Sequence, residues 1–145
     1  MNAVLQEVER RLALVEKYYE NYRSYLARGA YSKASEHLWG IANNLASLLS
    51  LLKGGRPITR HSDLRRFLDV LVRELAAREG GGEVVEAFKE GVLALEILHA
   101  NFFHDFLEER QFEELRIKAE RLLKILEEEL YRLLQAQFGG SGGTR

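Results

Sequence analysis

Residues 31–53, YSKASEHLWGIANNLASLLSLLK, decide the fold. Tyr31, Ala34, Leu38, Ile41, Leu45, Leu48 and Leu52 follow one another at steps of three and four. That spacing puts them on one face of a helix and excludes a strand, which would alternate every second residue. Gly54, Gly55 and Pro57 stop the helix. The same pattern repeats on both sides. From Asn2 to Arg28 the stripe is Val4, Val8, Leu12, Val15, Tyr19, Tyr22 and Leu26, and Gly29 ends it as a left-handed cap. A third helix, capped by Thr59 or Ser62, carries Leu64, Phe67, Leu68, Leu71, Val72 and Leu75. After Gly80, Gly81 and Gly82 a fourth carries Val85, Phe88, Val92, Leu95, Phe102 and Phe106. The fifth runs from Arg110 or Gln111 to about Gln137, with Phe112, Leu115, Ala119, Leu122, Leu126, Leu130 and Leu133 inside. No Gly or Pro separates the last two helices, and the break is expected at Leu107 to Arg110.

No stretch alternates like a strand. Long helices with short connections predict an all-α, up-and-down antiparallel bundle of about five helices. It forms one domain over residues 1–138, followed by a disordered Gly-rich tail at 139–145. Gly40 and Gly91 lie inside helices, where each costs about 1 kcal/mol against alanine. Close approach of a neighbouring helix is the expected reason.

The 145 residues contain 46% hydrophobic side chains, enough to build a core. Cysteine is absent, which excludes disulfides, thiolate nucleophiles and cysteine-ligated zinc. Twenty-one Lys and Arg balance 22 Asp and Glu, so nonspecific adhesion to nucleic acid or anionic membrane is not expected. No segment reaches the ~18 apolar residues of a membrane span. The charged first twenty residues lack the pattern of a signal peptide. The expected location is the cytoplasm. Abundant charge, no cysteine and one methionine lean toward a thermophilic source.

Four histidines, His37, His61, His99 and His104, are the candidates for acid–base chemistry near neutral pH. His99 and His104 are five residues apart, about 140° around a helix, and do not share a face. Glu96-Ile-Leu-His99 matches the Glu-x-x-His element of carboxylate-bridged metal bundles, but such sites need it twice. It occurs once, and neither a metal nor another cofactor is expected. Lys53, Arg56, Arg60, Arg65 and Arg66 face one acid, Asp63, in the second connection, five minus one or +4. With His61, the residues Arg56, Arg60, Arg65 and Arg66 form a candidate phosphate-binding patch. Tyr18, Tyr19, Tyr22, Tyr25 and Tyr31 form an aromatic surface suited to packing or base stacking. Phe102, Phe103, Phe106 and Leu107 crowd the end of helix four, a candidate two-fold dimer interface.

Three segments together carry a family resemblance. Ala34-Ser-Glu-His-Leu-Trp-Gly40 resembles the Ala-x-Glu-x-x-Trp-Gly segment of the PaREP family, paralogous proteins of hyperthermophilic crenarchaea. Ile58-Thr-Arg-His61 resembles its Thr-x-His helix start, and Leu98-His-Ala-Asn-Phe-Phe-His-Asp-Phe106 its Leu-His-x-Asn-Phe-Tyr-Glu segment. Glu36, Trp39, Gly40 and Asn101 are the motif positions. That family is similar to a branch of the HEPN superfamily, all-helical and usually dimeric. HEPN ribonucleases carry Arg-x(4 to 6)-His, often followed by an acid and a tyrosine. On this chain the histidine falls on His104, the acid on Asp105, the arginine position on His99 and the tyrosine position on Phe106. The resemblance therefore implies a homodimer with a degenerate catalytic motif at His104, His99 and Asp105. It would bind a nucleotide, RNA or a nucleotidyltransferase partner. The alternative it implies is a metal-independent endoribonuclease of a toxin–antitoxin-like system using His104.

Overall fold

The computed structural model describes residues 2–79 and 82–139, without the side chains at positions 2, 79 and 103. Five helices, α1 (Asn2–Ala27), α2 (Tyr31–Leu52), α3 (His61–Glu79), α4 (Glu83–His104) and α5 (Glu109–Leu134), form an all-α bundle with no strand among the described residues. A π-helical turn, Gln135–Gly139, follows α5. That turn includes Gly139, the first residue of the expected tail, and residues 140–145 lie outside those described.

Glycine ends the first two helices by one device. Gly29 takes φ 70° and Gly54 φ 88°. Ala30 N donates to Tyr25 O (2.9 Å) and Gly29 N to Leu26 O (3.1 Å). Gly55 N to Ser50 O (2.8 Å) and Gly54 N to Leu51 O (3.0 Å) repeat the arrangement. These are the paired bonds of a Schellman cap, for which glycine is favoured because it lacks a Cβ. The α4–α5 break differs. It spans residues 105–108, beginning two residues before the expected position, and Asp105 is its left-handed residue at φ 47°. Asn101, fully buried, takes over the carbonyls' task. Its Oδ1 accepts from Phe106 N and Leu107 N, both at 2.9 Å, and its Nδ2 donates to Ser35 Oγ (3.2 Å). A side chain rather than a glycine turns the chain here.

The central helix is α2, which packs against α1, α3, α4 and α5. Its stripe is correspondingly wider than one face. Ala42, Ala46, Ser47 and Leu49 are buried beside Leu38, Ile41, Leu45 and Leu48. A helix surrounded by neighbours is apolar on most sides. Both interior glycines sit at tight helix crossings. A methyl at Gly40 would stand 3.0 Å from Tyr18 Cε2 of α1, and one at Gly91 would stand 2.5 Å from Leu122 Cβ of α5.

Polar ties complete the frame. Glu129, buried on α5, receives Arg78 of α3 (2.6 Å) and Arg132 (2.8 Å). Burial alone would raise its pKa, but the two guanidinium groups outweigh burial and hold it below the usual carboxylate value. Tyr19 OH donates to Glu127 (2.6 Å) and Tyr22 OH to Glu120 (2.5 Å), linking α1 to α5. Burial first, then the carboxylate partner, pushes both phenols well above their ordinary value. No helix of the described residues is long and apolar enough to cross a membrane.

Candidate functional site

The second connection places His61 on α2. Ser47 Oγ accepts from Ile58 N (2.8 Å), Asn43 Nδ2 donates to Ile58 O (3.3 Å), and Ser50 Oγ donates to Arg56 O (2.7 Å). Ile58 is buried, so the loop is fastened by an apolar anchor and three hydrogen bonds from consecutive turns of α2. α3 therefore starts beside Trp39, with His61 as its first residue.

His61 stacks on the Trp39 indole with ring centroids 4.7 Å apart and planes 11° from parallel. His99 of α4 stacks on the same indole at 4.0 Å and 22°. The two imidazoles are themselves 5.0 Å apart. Three sides of similar length put both imidazoles on one face of the indole, because opposite faces would make the His61–His99 side nearly the sum of the others. Glu96, one turn before His99 on α4, has one oxygen 3.0 Å from His61 Nε2 and the other 3.3 Å from Arg65 Nη1. Arg65 stands one turn into α3. Trp39 is half-buried, and the His61 and Arg65 side chains are 43% and 47% exposed, so the cluster opens to solvent. Beyond it a groove of 350 Å³ runs between α3 and α4, with Arg65 and Glu96 at one end and Leu68, Val72, Phe88 and Val92 along it.

The Glu-x-x-His pattern thus serves an ion pair and a ring stack. Among the described residues no three His, Asp or Glu side chains are grouped to hold a metal. Burial, then the neighbouring His61, lowers the His99 pKa, and Glu96 only partly offsets them. A histidine depressed on folding stabilises the fold fully above its unfolded value of about 6.5. That contribution falls away as pH drops through the lower folded value. The wild type should therefore lose more melting temperature than His99→Phe between pH 7.5 and pH 5. Thermal scans of both proteins at the two pH values check this, and equal losses would remove the argument.

Other candidates lie elsewhere. His104 is exposed in the last turn of α4 and Asp105 is exposed as its cap, and neither joins the stack. Glu36 is exposed and makes no ion pair among the described residues. Asn101 is a buried structural residue, as described above. His37 packs between Tyr18 and Tyr25 and donates from Nδ1 to Lys33 O (2.8 Å). Tyr31 stacks on Phe112 (4.7 Å), so the tyrosines largely build the bundle. The basic patch is more neutral than its local count. Lys53 pairs with Glu74, Arg65 with Glu96, and both Arg60 (3.2 Å) and Arg66 (3.3 Å) with Asp63. Arg56 alone of the five has no carboxylate partner among the described residues.

Fold and site define an all-helical bundle whose central helix presents a tryptophan to two histidines from separate neighbours. The archaeal PaREP1/PaREP8 family model matches residues 10–123, a span holding all three family-like segments. The chain belongs to that family. It matches no curated protein and no solved structure.

Proposed function

We propose that the protein is a HEPN-like module that binds single-stranded RNA or a nucleotide at the Trp39–His61–His99 cluster. One observation carries this reading. Three sequence segments from three helices, those with the family resemblance, converge on one partly open aromatic cluster. An exposed imidazole offers a π-face for a base, and flat rings stack on bases with little regard to sequence. Arg56, Arg60 and Arg66 are exposed around the start of α3, where phosphates would follow the base. Because these arginines are mostly paired, RNA must compete with Asp63, and affinity should be modest and salt-dependent.

Trp39 is the only tryptophan and reports on its own site. Titration with a mixed-sequence single-stranded RNA, and separately with ATP and GTP, should quench its fluorescence at micromolar ligand. His61→Ala should weaken binding about tenfold, consistent with about 1–3 kcal/mol per stacked base. Arg56→Glu should weaken it and flatten its salt dependence. An unchanged spectrum, together with no mobility shift at 100 mM salt, would overturn the proposal.

A second reading is supported by the imidazole pair itself. A neutral His99 and a carboxylate-held His61, 5.0 Å apart, are the kind of acid–base pair that RNA cleavage through 2′-hydroxyl attack requires. The same RNA incubated with EDTA tests it, with His99→Ala and His104→Ala beside the wild type. Cleavage lost with His99 favours this pair. Cleavage lost with His104 alone favours the end of α4. Intact RNA leaves a binding module.

A further inference from the structure

α1 and α5 both pack on α2 and are tied to each other by the Tyr19–Glu127 and Tyr22–Glu120 hydrogen bonds, with no close backbone approach between them. They leave a groove away from the histidine cluster. Its first part encloses 590 Å³ over Leu45, between Leu12 of α1 and Leu130 and Tyr131 of α5. Tyr19 and Glu127 also line a second hollow of 500 Å³, which continues toward Leu26 and Ile117. From Leu12 to Leu26 the groove runs ~21 Å at the helical rise. Leu12 (36%), Ile117 (49%) and Tyr131 (65%) remain exposed along it. Contiguous apolar surface of this kind on a small domain marks an interface. Phe106, at the end of α4, is exposed as well.

The unpaired charges choose the occupant. Glu120 is paired with Arg116 (2.8 Å), and Glu127, where the two hollows join, holds the Tyr19 hydroxyl and keeps its charge. The other charges are Glu16 at the Leu12 end and Arg23, Arg121 and Lys124 at the Ile117 end, all exposed and without ion-pair partners among the described residues. An acid at one end and bases at the other make the groove complementary to itself when reversed. A two-fold axis across a groove reverses it, and a two-fold interface must be self-complementary. We propose that this groove is where a second copy of the chain docks. The two copies would lie antiparallel, with Tyr131 and Ile117 of each filling the other's groove and Glu16 of each facing the other's Arg121 and Lys124. The histidine cluster is built wholly within one chain, so the dimer is not needed to complete it.

Sedimentation velocity from 1 to 100 µM tests this. The wild type should sediment as a dimer, and Tyr131→Glu should weaken the dimer ~tenfold or more, as a charge buried at an interface does. Glu16→Lys alone, and Arg121→Glu with Lys124→Glu, should each weaken it, and the three changes together should restore it. All these side chains are exposed, and far-ultraviolet circular dichroism confirms that each variant stays helical. A monomeric wild type at 100 µM overturns the proposal. So does a dimer indifferent to Tyr131→Glu, or a triple variant no better than its parts. RNA titration of the same proteins reads the histidine cluster separately.

Discussion

Asn101→Ala should destabilise the protein by about 2–4 kcal/mol, because it strips three hydrogen bonds from one fully buried side chain. Phe106 N and Leu107 N both lose their acceptor, and a backbone donor left unpaired costs about 1–3 kcal/mol. Asp105, next to them, holds φ 47°, a left-handed conformation uncommon for residues with a side chain but more accessible to aspartate than to most. The same amide also binds Ser35 Oγ of α2, so the α4–α5 turn is fastened to the central helix. Ser35→Ala removes that last bond and the one Ser35 Oγ donates to Tyr31 O (2.8 Å) within its own helix, leaves both backbone donors of the turn paired, and should cost about 1 kcal/mol. Urea unfolding of the two variants should rank them in this order. Their melting temperatures should fall by roughly 6–14 °C for Asn101→Ala and about 3 °C for Ser35→Ala. An Asn101→Ala protein within 1 kcal/mol of the wild type would show that water replaces the side chain.

Asn101 also marks where sequence reading runs out. α1 and α2 end at glycines because their caps use backbone bonds alone, and glycine is the visible signature of that cap. The α4–α5 turn is built by a side chain four residues earlier, so no Gly or Pro announces it. The expected break therefore fell two residues late. The width of the α2 core was understated for a related reason. Apolar steps of three and four describe one face, while the other buried faces hold alanines and serines that fit between helices. Small residues carry a weak periodic signal even where burial is complete.

At the site, each residue was visible and their meeting was not. Trp39, His61, Glu96 and His99 lie on three helices, and no periodicity within one helix relates them. What joins them is the loop fastened by Ser47, Asn43 and Ser50, whose polar side chains at steps of four and three along one side of α2 were the available hint. The basic patch misled in the opposite direction. Counting within a window gave five cations against one acid, but Glu74 and Glu96 come from α3 and α4 and neutralise two of them. Local charge counts overstate a patch whenever packing brings carboxylates from elsewhere.

Gly91→Val should cost about 4 kcal/mol or more, the range reached when a core is overpacked with no room to relax. Even the first carbon of any side chain here would stand 2.5 Å from Leu122 Cβ and 3.0 Å from the Lys118 carbonyl oxygen. Neither atom belongs to a flexible side-chain end, so α4 and α5 must move apart along their shared contact. Gly91→Ala gains about 1 kcal/mol of helix propensity. The clash, about 1–3 kcal/mol or more, outweighs it, and the variant should still be destabilised. Leu122→Ala should not rescue it, because the obstructing atom is the β-carbon that alanine keeps. Gly40→Ala is the control. Its methyl would meet Tyr18 ring carbons at 3.0 and 3.3 Å, and that half-buried ring can swing outward. Propensity gain and contact cost then nearly cancel, and stability should stay within about 1 kcal/mol of the wild type. Denaturant unfolding of the four variants separates the two glycines. Gly91 tolerating valine as well as Gly40 tolerates alanine would mean that the α4–α5 crossing is looser than its geometry.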